Sequence, residues 1–298
     1  MLQEVVTVSR SDPSKTALIR RKFVGEVNSR YRSVASNLRI AASNIPLLGE
    51  TNNFTVIQER LDWMQTFLDE QFKVALLAGD WYKKYIEDAY TKGIRRGIRY
   101  TKGKELFWLD SSSAQGLEVA FIRQVSNSYT LKTLKQKTLS DLTTIVQAVK
   151  GRILSDLSIL LVRSASEKEI YRTLQKTMQN IGVLRSRTVA RTEVVRSQSY
   201  GLLDAFQEFG ITEVKILAET HKSVTSNANV EYISSSDYKV CPLCKPFDGK
   251  VMTIQEAYGL IPVHPNCRCS FIGVSAKRSA DVGSLISGIV DPPSDLNQ

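Results

Sequence analysis

The sequence predicts an α+β fold: a largely helical N-terminal region followed by a small α/β C-terminal domain with a Cys/His cluster of the metal-binding type. Three observations predict it. Apolar residues recur at helical spacing through roughly the first 160 positions. β-branched, alternating segments begin only after Gly210. All four cysteines then fall within 29 residues.

Asp12-Pro13 reads as an N-cap with proline at the first helical position. Phe23, Val27, Tyr31, Val34, Leu38 and Ala41 then form one apolar stripe, and Asn44-Ile45-Pro46 ends the helix. Gly49–Asn53 reads as a loop. A second helix is expected over about Val56–Ala78, with Leu61, Met64, Leu68, Phe72 and Ala75 as its stripe. Gly79 breaks it, and Asp80 caps a third helix through Arg99. After a connector at Thr101–Lys104, two helices are expected, at roughly Ala114–Asn127 and Leu131–Val162. Ser166-x-x-Glu169 is a capping box that opens a short helix ending near Gly182. Leu184 begins a long helix that Gly210 closes. Ile211–Glu219 and Val230–Ser234 read as strands with a polar loop from His221 to Asn229 between them, and Asp237–Gly273 is compact and rich in Cys, Pro and Gly. The Gly- and Ser-containing tail 275–298 has little to bury and reads as flexible.

The 298 residues suit one large or two ordinary domains, and 42% of them are apolar. That composition excludes collagen-like, wholly disordered and disulfide-dense chains. The first residues show no secretory pattern. The longest apolar runs, such as Val74–Ala78 and Ile159–Val162, fall far short of the ~20 residues of a membrane span. The expectation is a soluble protein made in a cytoplasm, with no membrane partner.

Charge is uneven. Residues 1–200 carry 32 Lys+Arg against 19 Asp+Glu, whereas residues 201–298 carry 8 against 11. The surplus points the first two thirds toward a polyanion or an acidic protein surface. Arg20, Arg21 and Lys22, and Arg95, Arg96 and Arg99, are the candidate contacts with nucleic acid or a partner. The alternative is a set of solvated helix faces. Tyr82, Tyr85, Tyr90 and Tyr100 stand at helical spacing, as packing residues do.

The cysteines read Cys241-Pro-Leu-Cys244, then His264-Pro-Asn-Cys267-Arg-Cys269. A Cys-x-x-Cys turn lets two thiolates grip one ion, and a second turn completes a tetrahedron. Five candidates, Cys241, Cys244, His264, Cys267 and Cys269, compete for four positions around a structural zinc. Plain thiols or disulfides are the alternative. A catalytic metal lacks support: no His-x-Glu occurs, and there are two histidines in all. No nucleophile–base pair is visible, so no enzyme activity is expected.

In sequence order, Ala190-Arg191-Thr192-Glu193, Gly210, Asp237-x-x-Val240-Cys241-x-x-Cys244 with Asp248-Gly249-Lys250, and Pro262-x-His264-Pro265-Asn266-Cys267-Arg268-Cys269 resemble the phage Mu F-like minor head protein family, the phage head morphogenesis proteins. The likeness covers roughly residues 165–273. It implies a minor capsid protein of a tailed phage, aiding capsid assembly, DNA packaging or genome ejection. The implied partners are the portal protein, the major capsid or scaffolding protein, and double-stranded DNA. The implied location is the capsid interior or portal vertex, after assembly in the host cytoplasm. The implied organisation is a helical, basic region at 1–164, a head morphogenesis domain at 165–274, and a tail at 275–298. The competing reading is a metal-dependent nucleic-acid-binding or nucleic-acid-processing protein. A zinc-module regulator would place positive charge on the cysteine segment, and residues 201–298 are net negative.

Helical arithmetic puts Ala190, Arg191, Val194, Gln198, Leu202, Ala205 and Phe209 on one face, with Glu193 about 160° from Arg191. A buried arginine needs a carboxylate or carbonyl oxygens. Arg191 is therefore expected to tie its helix to the cysteine segment through Asp237 or Asp248, or else to snorkel its head into water.

Overall fold

The computed structural model describes residues 12–44, 54–102, 121–122, 128–218, 220–222 and 238–276. The expected loop at Gly49–Asn53, the strand at Val230–Ser234, most of the helix at Ala114–Asn127 and the tail beyond Ala276 lie outside them.

The fold is α+β. Helices α1 (Ala17–Asn44), α2 (Phe54–Phe72, running into a π-helical turn Lys73–Leu77), α3 (Lys83–Lys102), α4 (Tyr129–Val162), α5 (Glu167–Thr177, followed by a π turn Met178–Val183) and α6 (Leu184–Glu208) come first. Then come β1 (Ile211–Leu217), β2 (Thr220–Lys222), β3 (Tyr238–Val240), a 3₁₀ turn Lys245–Phe247, β4 (Val251–Thr253), α7 (Ile254–Ala257) and β5 (Ser270–Ala276). Among the described residues, no helix is long and apolar enough to cross a membrane. The chain divides into two compact units: Met1–Ile19 with Tyr85–Leu134 and Thr192–Gln298, and Arg20–Lys84 with Lys135–Arg191.

The second unit is helical. The stripe Phe23, Val27, Tyr31, Val34, Leu38 and Ala41 is buried as its spacing predicts, and Met64, Leu68 and Phe72 of α2 are buried too. Burying each large apolar side chain contributes about 1.5–3 kcal/mol. Tyr31 sits edge-on to Phe72, ring centres 6.1 Å apart, and its hydroxyl lies 2.9 Å from Ser186 Oγ. Burial pushes the Tyr31 phenol up to about 12. The turn after α2 widens to π geometry, and Arg30 donates to the Ala75 carbonyl at 2.7 Å while lying 4.3 Å over the Trp81 ring. Trp81 Nε1 donates to Leu76 O at 3.0 Å. Two side chains thus satisfy carbonyls at this irregular turn. Only half of the Ser166 capping box forms: Ser166 accepts from Glu169 N–H at 3.3 Å, while the Glu169 carboxylate pairs with Arg163.

In the first unit, α1 begins at Ala17 rather than Pro13. Asp12–Lys15 closes a turn (Lys15 N to Asp12 O, 2.9 Å) with Lys15 at φ +54°, which interrupts helical dihedrals. Asp12 still caps the helix, accepting from Ala17 N–H at 3.2 Å. A three-stranded antiparallel sheet has the order β4-β1-β5, and β2 pairs with β3 separately. Val214, Ile216, Met252 and Phe271 pack with Leu202, Leu203 and Phe206 of α6 in one core, which also holds the four cysteines.

Helix α3 crosses α6 at backbone contact. A Cβ on Gly93 would lie 2.1 Å from Gln198 O, one on Gly97 2.5 Å from Ala205 Cβ, and one on Gly201 2.1 Å from Tyr90 O. Only glycine permits that approach. Gly93→Ala should cost about 1–3 kcal/mol through forced separation of the helices. Gly151→Ala, within α4 and with nothing inside 4 Å of the added methyl, should stabilise by up to about 1 kcal/mol. Paired thermal or urea unfolding of the two variants checks both signs.

Candidate metal centre

The two halves of the centre are separate turns. In the first, Cys241 O accepts from Cys244 N–H at 3.0 Å and Lys245 N–H at 2.9 Å, so the Cys-Pro-Leu-Cys segment closes tightly. Asp248-Gly249-Lys250 then returns the chain to β1. Gly249 takes φ +77°, its N–H donates to Ile216 O at 3.0 Å, and Asp248 Oδ1 accepts from Ala218 N–H at 2.9 Å. A carboxylate on a backbone donor and a glycine in the left-handed region fix the turn. Asp248 therefore anchors the first turn to the strand.

The second turn follows α7, whose Thr253/Glu256 capping box is complete. Cys267 N–H donates to His264 O at 3.1 Å, with Asn266 at φ +64°. Cys267 and Cys269 are both fully buried, with half-buried Arg268 between them, as the alternation of an extended segment requires.

The two turns bring their donors together. The donor atoms of Cys241, Cys244 and His264 lie within 4.8 Å of one another, and so do those of Cys244, Cys267 and Cys269. Cys241 Sγ stands 3.4 Å from His264 Nε2, and His264 Nδ1 lies 2.8 Å from Pro265 O. Cys244 belongs to both groups. All four cysteines are free thiols. Zinc–sulfur bonds of about 2.3 Å and zinc–nitrogen bonds of about 2.0 Å require donors some 3.5–4 Å apart, so this cluster fits a tetrahedral ion.

The electrostatics point the same way. Hydrogen bonds from Cys244, then from Cys269, hold the Cys267 thiol well below its usual range. Donating to Cys267 pushes Cys244 up. Cys269, despite a lowering bond with Cys244, is raised by Cys267 and by burial. Neighbouring sulfurs in a dry site cannot all carry charge unaided. A divalent cation removes that restraint, because metal ligation deprotonates thiols.

The segment is docked on the part of α6 that lies in the first unit. Arg191 is exposed, and Glu193, expected on the far side, is 2% exposed and holds Arg196 Nε at 3.1 Å from both carboxylate oxygens. The expected burial of Arg191 fails because residues 193–206 are buried almost all round, with only every fourth residue partly open. A single-stripe assumption has no meaning on such a helix. One docking bond comes from Thr192, whose hydroxyl accepts from Asn266 N–H at 3.0 Å. Lower on α6, the Asp204 carboxylate accepts from both Tyr90 and Tyr258 hydroxyls. Burial raises Asp204, partly offset by those two bonds. Sequence reasoning passed over Thr192, although it stands inside the Arg-Thr-Glu motif. Asp237 lies outside the described residues.

The basic candidates divide. Arg21, Lys22, Arg95 and Arg99 are exposed, and Arg20 is half-buried. Arg96 turns inward, donating to Pro13 O and, at 2.9 Å, to Ser270 Oγ, and desolvation lowers its pKa to about 10. Its role is to clamp the N-terminal turn and β5 onto α3. Thr192→Val keeps shape and removes the acceptor for Asn266. It should cost about 1–2 kcal/mol and speed amide exchange at residues 264–269, read by hydrogen exchange.

Residues 153–272 match the family model described as phage Mu protein F like protein. No curated protein and no solved structure matches the chain. The matched residues include all five donors, Thr192 and Asp204, so it is this part of the chain, 153–272, that is similar to the phage Mu F-like proteins.

Proposed function

We propose that the chain is a minor capsid protein of a tailed bacteriophage, acting in head morphogenesis at the portal vertex inside the head. The observation that carries the reading is the phage Mu F-like match, which spans both the α6 helix and the Cys/His cluster. The role is structural rather than catalytic: four of the five donors are buried thiols, as thiolate-rich structural zinc sites are, with His264 half-buried beside them. In this reading residues 165–274 are the head morphogenesis domain, residues 1–164 a basic helical region, and 275–298 a tail. Portal and capsid or scaffolding proteins are the partners, and exposed Arg21, Lys22, Arg95 and Arg99 meet their acidic surfaces or packaged DNA during assembly, packaging or ejection.

Mass spectrometry of purified particles against infected-cell lysate tests the assignment. The chain should be enriched in particles as a low-copy component. Its absence from finished particles sinks the reading and revives the competing one, a metal-dependent nucleic-acid protein.

We further propose that four of Cys241, Cys244, His264, Cys267 and Cys269 hold one structural zinc. A thiolate-lined ion would supply folding free energy to a segment with little apolar mass of its own. Elemental analysis should find about one zinc per chain. Chelation should raise hydrogen exchange first in residues 238–276. Cys244→Ser, which removes the donor common to both groups, should abolish binding. Metal-free protein with unchanged protection in that segment would falsify the site.

A further inference from the structure

The two turns of the cysteine segment are built alike. Cys241-Pro242-Leu243-Cys244 and His264-Pro265-Asn266-Cys267 each place proline second and cysteine fourth. Each closes with the N–H of its fourth residue on the carbonyl of its first, at 3.0 Å in Cys241–Cys244 and 3.1 Å in His264–Cys267. A closed turn of this spacing carries the side chains of its ends as a ligand pair. His264 therefore stands in the second turn where Cys241 stands in the first. Cys269 lies two residues past the second turn and has no counterpart in the first, where Pro246 takes that place.

The ring of His264 is set to offer a lone pair. Its Nδ1 lies 2.8 Å from the Pro265 carbonyl oxygen, which can only accept, so Nδ1 carries the proton. In the neutral ring Nε2 is then bare, and it stands 3.4 Å from Cys241 Sγ. An outer role for His264 would need an Nε2–H donating to that sulfur, and the one proton is already placed. Metal-ligating histidines share this arrangement, with the far nitrogen donating to a carbonyl. A sulfur and a nitrogen on one tetrahedral ion stand about 3.5 Å apart, given bonds of about 2.3 and 2.0 Å.

Between Cys267 and Cys269 the hydrogen bonds decide. The backbone N–H groups of Cys269 and Val263 both donate to the Cys267 sulfur, and the Cys269 thiol donates to the same atom. Ligand atoms are commonly held by such outer donors. Cys244 joins the two turns, with its sulfur within 4.8 Å of the donor atoms of Cys241, His264 and Cys267.

We infer that the ion is held by the two turn pairs, Cys241 with Cys244 and His264 Nε2 with Cys267, and that Cys269 is an unligated thiol steadying Cys267 from outside the coordination sphere. The inference rests on the zinc reading above and not on the capsid assignment.

Cobalt(II) loading of the full chain tests it, because the sulfur-to-cobalt charge-transfer band grows with each thiolate bound. The wild type should show a tetrahedral spectrum with the band of three thiolates. Cys269→Ala should keep that spectrum, and about one zinc per chain by elemental analysis. His264→Cys should raise the band to that of four thiolates. Long-range proton–nitrogen NMR of the wild type reads the ring directly: zinc should shift His264 Nε2 and leave the proton on Nδ1. A four-thiolate band in the wild type overturns the assignment, as does a smaller band in folded Cys269→Ala. So does a band unchanged in His264→Cys, or an Nε2 resonance that zinc leaves in place. Should Cys269→Ala fail to fold, the wild-type band and ring resonances decide. Protein that takes up neither metal sinks the zinc site itself, and this inference with it.

Discussion

The constraint on which the first unit depends is the burial of α6 from residue 193 to residue 206. Only Arg196, Tyr200 and Asp204, at steps of four, stay partly open along it, so its neighbours meet it on nearly every side. α3 does so at backbone distance, through Gly93, Gly97 and Gly201. Loss of side chains there is offset by close dispersion contact along two helices. Once α3 and α6 are locked, Tyr90 of one and Asp204 of the other come into register, and Asp204 is left with a second oxygen for Tyr258. A buried carboxylate is tolerable only when hydrogen-bonded, and here both donors are tyrosines that bury their own rings.

The cysteine segment hangs from this frame at few points. Thr192 holds the backbone of Asn266, Asp204 holds Tyr258, and Arg96 reaches Ser270 from α3. From the other side, Asp248 and Gly249 hold the first Cys turn on β1. Each contact fixes a turn rather than a sulfur. The sulfurs meet because the turns that carry them are fixed. The four thiols lie in an apolar core, while His264 stands half-buried at its edge.

The second unit shows the same economy with other means. Its helices carry regular stripes, and its two irregular turns have π geometry. At the first, Arg30 and Trp81 take up the carbonyls of Ala75 and Leu76. At the second, Gly182 leaves room for the Tyr31 ring, whose Cε1 would stand 2.4 Å from an added Cβ. Charge in the chain is likewise put to two uses. Arg96 and Arg30 are spent inside as hydrogen-bond donors, while Arg21, Lys22, Arg95 and Arg99 remain outside. A count of basic residues along a sequence cannot separate the two.

The sequence by itself determined the helices of the described residues, the α1 stripe, the break at Gly210 and the pairing of two Cys-bearing turns. Each of these is local: periodicity, a glycine cap, or ligand spacing within a few residues. Tertiary structure alone decided which residues of the Arg-Thr-Glu motif do what. Helical arithmetic assumes one buried face, and α6 is enclosed on nearly all sides, so Arg191 ends outside and Glu193 inside. The glycine crossing of α3 and α6 was equally illegible, because nothing local distinguishes a glycine that admits a neighbouring backbone from one, like Gly151, that meets open space. The start of α1 moved from Pro13 to Ala17 for a similar reason. The turn at Asp12–Lys15 is held by Arg96 and by the Arg268 carbonyl, partners far away in the chain.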